Sequence, residues 1–169
     1  MGLNRIVLPE FLLSSLYKFH LIDPFEEKKE LIPVKKQELI QWKFLGNNEK
    51  NILIIVDCKN ETHLPDDQLD LLTNLLSACK LSVGDIALLN IASNPPVFYK
   101  DCCDFFKSKI VFLFGVEPVS IGLPVSFPQF QIQPFSGLSY LFLPPLNAIN
   151  DDKVLKSKLW VCFRRIFGV

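Results

Sequence analysis

The sequence predicts an α/β protein, a three-layer α/β/α sandwich with a mainly parallel central sheet of four to five strands. The first observation behind this prediction is the unbroken apolar run Ile52–Val56, which would bury both faces of a strand. A strand with one face in water would instead alternate apolar and polar residues. The second observation is that strand-sized apolar segments alternate with helical patterns after this run, as they do where right-handed crossovers join parallel strands.

The N-terminal part of the chain has a different character. Pro9 opens a helical pattern that continues to about His20, and Glu26–Lys36 is charged with little periodicity. Trp42 and Phe44 are expected to pack on the following domain. We therefore predict a helical arm or added layer over residues 1–48 and an α/β domain over residues 49–169, within one compact unit.

Periodicity and turn residues mark the elements that follow the central strand. Pro65 and the two acidic residues after it begin a helix whose leucines are spaced to pack on the sheet. Pro-Pro pairs follow two of the strands and cannot continue a hydrogen-bonded ladder. The other predicted strands are Asp85–Ile91, Lys109–Phe114, Gln129–Gln133 and Gly137–Leu143, and a short helix is predicted at Asp101–Lys107.

The C-terminal helix has the clearest pattern. Asn150 is predicted to cap it, with two acidic residues in the first turn and two arginines in the last, as the helix macrodipole favours. Its apolar face contains Leu155, Leu159, Cys162, Phe163 and Ile166. A solvated face is the favoured interpretation of its cations, and nucleic-acid binding is the alternative, carried by Lys156, Lys158, Arg164 and Arg165.

Composition narrows the classes of function. Eighteen acidic and eighteen basic residues give no net formal charge, which argues against a broadly basic nucleic-acid-binding body but leaves a local patch open. Hydrophobic residues make up 49% of the chain, and fifteen residues are Phe. Either the core is well filled or an apolar surface is reserved for a protein partner. Because no bilayer-length apolar run and no signal-peptide pattern occur, we expect a cytoplasmic protein without a membrane partner.

The cysteines indicate neither a disulfide framework nor a metal site. Positions 58, 79, 102, 103 and 162 are odd in number and contain no CxxC motif. The sequence also lacks a P-loop, a dinucleotide fingerprint and a Gly-x-Ser-x-Gly motif. We therefore expect no metal and no cofactor. The aromatic residues of Phe127–Phe130 are expected to pack in the core, with base stacking as the alternative.

Between Ile52 and Phe167 the order of segments resembles the uracil-DNA glycosylase superfamily. The segments that carry the resemblance are a helix and a strand ending in Asn90 and followed by Pro-Pro, and a strand ending in Gly115. A third is Tyr140–Leu146, which corresponds to the segment with the family's His-Pro-Ser motif and precedes a helix with Lys and Trp. The resemblance implies the fold of that superfamily.

The positions on which glycosylase catalysis depends differ in this chain. The family activates a water from a Gly-rich loop after the first strand, whereas the loop Asp57–His63 contains no glycine. The His that stabilises the departing base corresponds to Leu143, which can neither donate nor accept a hydrogen bond. The site is therefore expected to be vestigial, and its positions are Asp57, Glu61, His63, Asn90 and Leu143.

Each of these polar side chains also has a structural interpretation. Capping of loop N–H groups is favoured for Asp57, with an acid, a base or a metal ligand as the alternative. A turn or surface role is favoured for His63 over a general base beside Asp57 or Glu61. Asn90 is expected to satisfy backbone groups at the strand end.

The resemblance, without its catalytic groups, implies a non-catalytic protein-interaction subunit in DNA replication or repair. The psi subunits of bacterial DNA polymerase III, which join the clamp loader to a partner subunit, are relatives of that fold without its chemistry. This chain is similar to them in its N-terminal arm and apolar content. The alternatives are a divergent DNA glycosylase that excises a damaged base with Asp57, Glu61 or His63, and a non-catalytic nucleic-acid-binding module that uses the C-terminal cations.

Overall fold

The computed structural model describes residues 41–168 except residues 60 and 95. Within these residues, a mixed sheet of six strands packs with four α-helices. The strands are β1 (Phe44–Leu45), β2 (Ile52–Val56), β3 (Ile86–Asn90), β4 (Ile110–Phe114), β5 (Ile132–Phe135) and β6 (Leu138–Leu143). The helices are α1 (Asp66–Ala78), α2 (Tyr99–Phe106), α3 (Leu146–Asp151) and α4 (Lys153–Phe167). The predicted helix at Pro9–His20 and the charged segment Glu26–Lys36 lie outside the described residues.

The strands follow the order β1-β3-β2-β4-β6-β5 across the sheet. At the centre, β2 pairs in parallel with β3 and β4, so that Ile52 is opposite both Ile86 and Ile110, and β6 pairs in parallel with β4. The edge strands β1 and β5 are antiparallel to their neighbours. The predicted strand count of four to five is therefore wrong, because a two-residue edge strand has too short a pattern to be read from sequence.

The central strand is buried on both faces, as its unbroken apolar run predicts. Ile52 and Ile54 point to the face covered by α1 and α4, whereas Leu53 and Ile55 point to the face covered by α2. Each fully buried Leu or Ile contributes about 1.5–3 kcal/mol through removal of apolar surface from water. The five residues together hold helices against both sides of the sheet.

Helix α4 is attached to the sheet through aromatic packing. The rings of Phe163 on α4 and Phe112 on β4 stack with their centroids 4.9 Å apart and their planes at 22°. Leu159 and Cys162 are buried beside Phe163, which confirms the predicted apolar face. The predicted cap is wrong, because Asn150 lies inside α3 and Asp152 caps α4, its Oδ1 accepting from the Val154 N–H at 2.6 Å.

Four aromatic rings connect β1 to α2. Phe44 meets the ring of Phe106 edge-on at 5.1 Å, and Trp42 lies 6.4 Å from Phe106 and also from Phe105. Trp42 is buried, whereas 51% of Phe105 is exposed. Residues 41–48 of the predicted arm therefore include an edge strand of the sheet, and the division at residue 48 stays a prediction.

No helix in the described part of the chain has both the length and the apolar character needed to cross a bilayer.

Candidate functional site

Three of the predicted vestigial positions lie at one edge of the sheet, where the carboxyl ends of the parallel strands meet. Val56 is opposite both Asn90 and Phe114, and Phe114 is opposite Leu143. Asp57 follows Val56 directly. In open α/β sheets ligands bind beyond this edge, so the geometry there decides whether a reaction site exists.

Asn90 is fully buried, and its side-chain amide makes four hydrogen bonds. Nδ2 donates to the carbonyl oxygens of Cys58 and Glu61, both at 2.7 Å. Oδ1 accepts from the N–H groups of Cys58 at 2.9 Å and Ala92 at 3.1 Å. Because both amide hydrogens and both lone pairs are engaged, Asn90 keeps no polar atom for a ligand. It holds the loop after β2 against the end of β3.

Ser93 holds the same loop from the turn after β3. Its Oγ donates to the Thr62 carbonyl at 2.7 Å and lies 3.2 Å from the Glu61 carbonyl. The Glu61 side chain is exposed, and His63 is partly buried with an Nδ1 that has no hydrogen-bond partner among the described residues. The loop is thus fixed through its backbone carbonyl groups at Glu61 and Thr62.

Leu143, the predicted counterpart of a base-stabilising His, is completely buried in the core cluster that contains Val56 and Phe114. Its carbonyl accepts from the Gly115 N–H at 2.9 Å. Gly115 has φ +69°, and a Cβ added there would lie 2.9 Å from the Cβ of Pro145. The chain itself therefore fills the space between the ends of β4 and β6.

A small cleft remains beside the end of β2. Its volume is about 200 Å³, below the roughly 300–1,000 Å³ that is typical of small-molecule sites. It is lined by Val56, Asp57, Cys58, Leu64, Gln68, Phe114, Pro145, Leu146 and Asn147. His63 lies outside this set of residues, so the cleft contains one predicted site carboxylate, that of Asp57, without the predicted histidine.

The thiol in this cleft is poorly suited to nucleophilic chemistry. Burial raises the pKa of Cys58 above its ordinary value, and the nearby carboxylates of Asp57 and Glu61 raise it further. The thiol therefore stays protonated at neutral pH, whereas the thiolate is the reactive form. Asp57 is the exposed carboxylate in the lining of this cleft and the group available there for acid–base chemistry.

The four predicted nucleic-acid-binding residues all lie on α4 but do not form one patch. Lys156 Nζ donates to Asn150 Oδ1 at 3.1 Å, whereas Lys158 Nζ lies 5.9 Å from the centre of the Phe130 ring. Arg164 and Arg165 are exposed in the last turn. Seven residues span nearly two full turns of an α-helix. Lys158 and Arg165, which are seven residues apart, therefore lie on the same side of α4.

A groove lies along this side of α4, between the helix and the segment that leads into β5. Its volume is about 430 Å³, and we call it the α4 groove; it is lined by Phe130, Gln131, Ile132, Val161, Cys162 and Arg165. Cys162 Sγ donates to the Phe130 carbonyl at 3.4 Å and joins the two walls. Sequence reasoning missed this groove, although Val154 and Val161, seven residues apart and outside the predicted apolar face, were the available signal.

Within the described ranges, no cluster of three or more His, Cys, Asp and Glu side chains could hold a metal ion. A scan of the sequence against protein-family models gives no match, and a search of curated proteins gives none either.

Proposed function

We propose that this chain is a non-catalytic protein with the three-layer α/β/α fold of the uracil-DNA glycosylase superfamily. In this proposal it acts in the cytoplasm as a protein-interaction subunit of DNA replication or repair. The main support for a non-catalytic protein is the hydrogen bonding of Asn90. All donors and acceptors of its side-chain amide are paired with backbone groups.

Two further features of the strand edge support a lost reaction. A buried Leu143 supplies no hydrogen bond where the family places its electrostatic stabiliser, and loss of one such group commonly costs about 10²–10³ in rate. Gly115 and Pro145 lie so close together that these residues occupy the space between the ends of β4 and β6. A glycosylase needs an open pocket there to receive a flipped base.

Exposed apolar side chains support the interaction role. Phe98 and Phe105 are 54% and 51% exposed, and Val154 and Val161 are 62% and 63% exposed. Scattered apolar residues are normal on a surface, but Val154 and Val161 lie on one side of one helix, and Val161 lines the α4 groove. The assignment to DNA replication or repair rests on the resemblance, and the psi subunits of bacterial DNA polymerase III are the model for this role.

Affinity capture of the tagged full-length chain from its native cells, after nuclease treatment, tests the interaction role. We expect replication or repair proteins to be enriched over an untagged control. Recovery of a monomeric chain with none of these proteins would contradict the proposal.

The exposed Asp57 in the cleft favours one alternative, a divergent DNA glycosylase. Release of free base from oligonucleotides that contain uracil, hypoxanthine or xanthine is the assay, at high protein concentration. We expect no release. Release that disappears in the Asp57→Asn variant would establish the alternative, because a contaminating enzyme would be unaffected by that change.

A further inference from the structure

We infer that the α4 groove binds an amphipathic helix of a partner protein, apolar on one side and flanked by Asp or Glu side chains. This inference rests on the proposed function and deepens it by naming the binding surface and the chemistry of the partner.

The first observation is a stripe along α4. Val154, Lys158, Val161 and Arg165 are spaced by four, three and four residues, so they lie in line along the helix for roughly 16 Å. The two valines are among the most exposed large apolar residues of the described chain. A line with this spacing is the pattern by which one helix presents side chains to a second helix.

The second observation is the charge of α4. Its fifteen residues include five cations and no acidic side chain, although the whole chain has no net formal charge. The acidic residue nearest to its start, Asp152, is engaged as its N-cap. Two of these cations, Lys158 and Arg165, lie in the stripe, so a partner surface with carboxylates beside its apolar residues is their electrostatic complement.

The third observation is the backbone at Phe130, on the opposite wall of the groove. Phe130 has φ +61°, a conformation that a bulky residue rarely adopts. Its N–H donates to the Phe142 carbonyl at 2.9 Å and its carbonyl accepts from Cys162, so the fold holds this conformation on both sides. Such strain is concentrated where a side chain must be presented, and here the Phe130 ring lines the groove beside Lys158.

The outer edge of β5 is poorly suited to binding a partner as an added strand. Pro134 has no N–H to offer to another chain, and its carbonyl accepts from Gln133 Nε2 at 3.2 Å. Side chains of α4 and Phe130, rather than backbone groups, therefore provide the available contacts, and a helix fits such contacts better than an extended peptide.

A protein helix fits the surface better than a nucleic acid. The cations Lys158 and Arg165 alternate with the exposed Val154 and Val161. An aliphatic side chain contributes little binding free energy when it contacts a phosphate backbone. Nucleic-acid binding also depends on many phosphate contacts, whereas Lys156 is hydrogen-bonded to Asn150.

Site-specific photo-cross-linking in native cells tests the inference. A photoreactive side chain is placed at Val161 in the full-length chain, and at Val119 in a matched control. Val119 is also 62% exposed but lies in the turn Pro118–Ile121, away from the α4 groove. We expect a protein cross-link from position 161 to a segment whose apolar residues recur every three or four positions and are flanked by Asp or Glu, and at least tenfold less cross-link from position 119.

Charge reversal provides the second arm. Arg165→Glu is expected to reduce capture of the cross-linked partner by about tenfold or more, and Val119→Glu to leave it within about twofold. Circular dichroism checks that both variants remain folded.

Capture of the same partner by Arg165→Glu at wild-type levels would overturn the inference and leave the proposed function standing, whereas capture of no partner by the wild type would remove both. Salt-dependent binding of a thymidine oligonucleotide that is lost with Arg165→Glu would also overturn it, in favour of phosphate recognition.

Discussion

Asn90 and Cys58 are joined by a reciprocal pair of hydrogen bonds. Asn90 Nδ2 donates to the Cys58 carbonyl at 2.7 Å, and the Cys58 N–H donates to Asn90 Oδ1 at 2.9 Å. The side chain at the end of β3 thereby replaces a backbone partner that β2 has lost beyond Val56. An amide at the carboxyl ends of the parallel strands thus holds the loop after β2 in place.

Asn90→Ala is expected to lower the free energy of unfolding by about 2–4 kcal/mol, because it leaves buried backbone groups unpaired. Urea-induced unfolding measures the change. Asn147→Ala is the control, since Asn147 is an exposed amide of the same cleft and its loss should cost no more than about 0.5 kcal/mol. Equal small effects of the two changes would show that the Asn90 hydrogen bonds do not support the fold.

Gly115→Ala is expected to destabilise the protein more than Gly137→Ala. Both glycines have positive φ, +69° and +79°, so each change costs about 1 kcal/mol through the backbone. At Gly115 the new Cβ would also lie 2.9 Å from Pro145 Cβ, whereas nothing lies within 4 Å at Gly137. Thermal unfolding should show a further loss of about 1–3 kcal/mol for Gly115→Ala. Matching losses would mean that the Gly115–Pro145 contact is loose.

The aromatic contact between β1 and α2 predicts different costs for two adjacent phenylalanines. Phe106 is 3% exposed and contacts Phe44, so Phe106→Ala should cost about 3–5 kcal/mol. Phe105 is 51% exposed, and Phe105→Ala should cost about 1 kcal/mol. Denaturant midpoints of the two variants, measured together, check the prediction. A larger loss for Phe105→Ala would contradict the placement of α2.

Asp85 predicts a pH-dependent stability. Hydrogen bonds from the Ser82 N–H at 2.7 Å and the Ser82 hydroxyl at 3.1 Å, with Lys50 Nζ 3.6 Å away, lower the pKa of Asp85 below its ordinary value. Because the folded-state pKa is depressed, this contribution is fully present above the unfolded pKa of about 3.9 and is lost as the pH falls through the folded pKa.

We therefore expect Asp85→Asn to be less stable than the wild type at pH 7, with a difference that shrinks steadily in more acidic buffer. Urea unfolding across this pH range measures it. Asp70→Asn, which changes an exposed carboxylate of α1, is the control. If the difference in free energy of unfolding between the wild type and Asp85→Asn were independent of pH, the role of the Asp85 carboxylate would be contradicted.

Much of the interior was predictable because local patterns report burial directly. Ile52–Val56 is apolar at every position, and a strand with both faces covered requires this. In α4 the spacing of Leu159 and Phe163 identifies the buried face in the same way. The predicted helices and strands in the described residues accordingly lie within a few residues of those observed. The largest shift is that of the predicted strand Gln129–Gln133, which is observed a few residues later as β5.

The candidate site was less predictable because its side chains depend on distant partners. Asn90 was expected to satisfy strand-end backbone groups, but its partners at Cys58 and Glu61 are about thirty residues away along the chain. The α4 groove depends on Phe130, whose positive φ is imposed by contacts with Phe142 and Cys162. No pattern in the Phe127–Phe130 segment indicates that conformation.

The sequence by itself determined a central strand covered on both faces and the alternation of strands and helices, since side-chain periodicity records which surfaces must leave water. Only the tertiary structure decided that β1 joins the sheet edge, that Leu143 lies in the core, and that the Asn90 amide is fully hydrogen-bonded to backbone groups. Those outcomes depend on hydrogen bonds and contacts between residues far apart in the chain, and local composition does not encode such pairings.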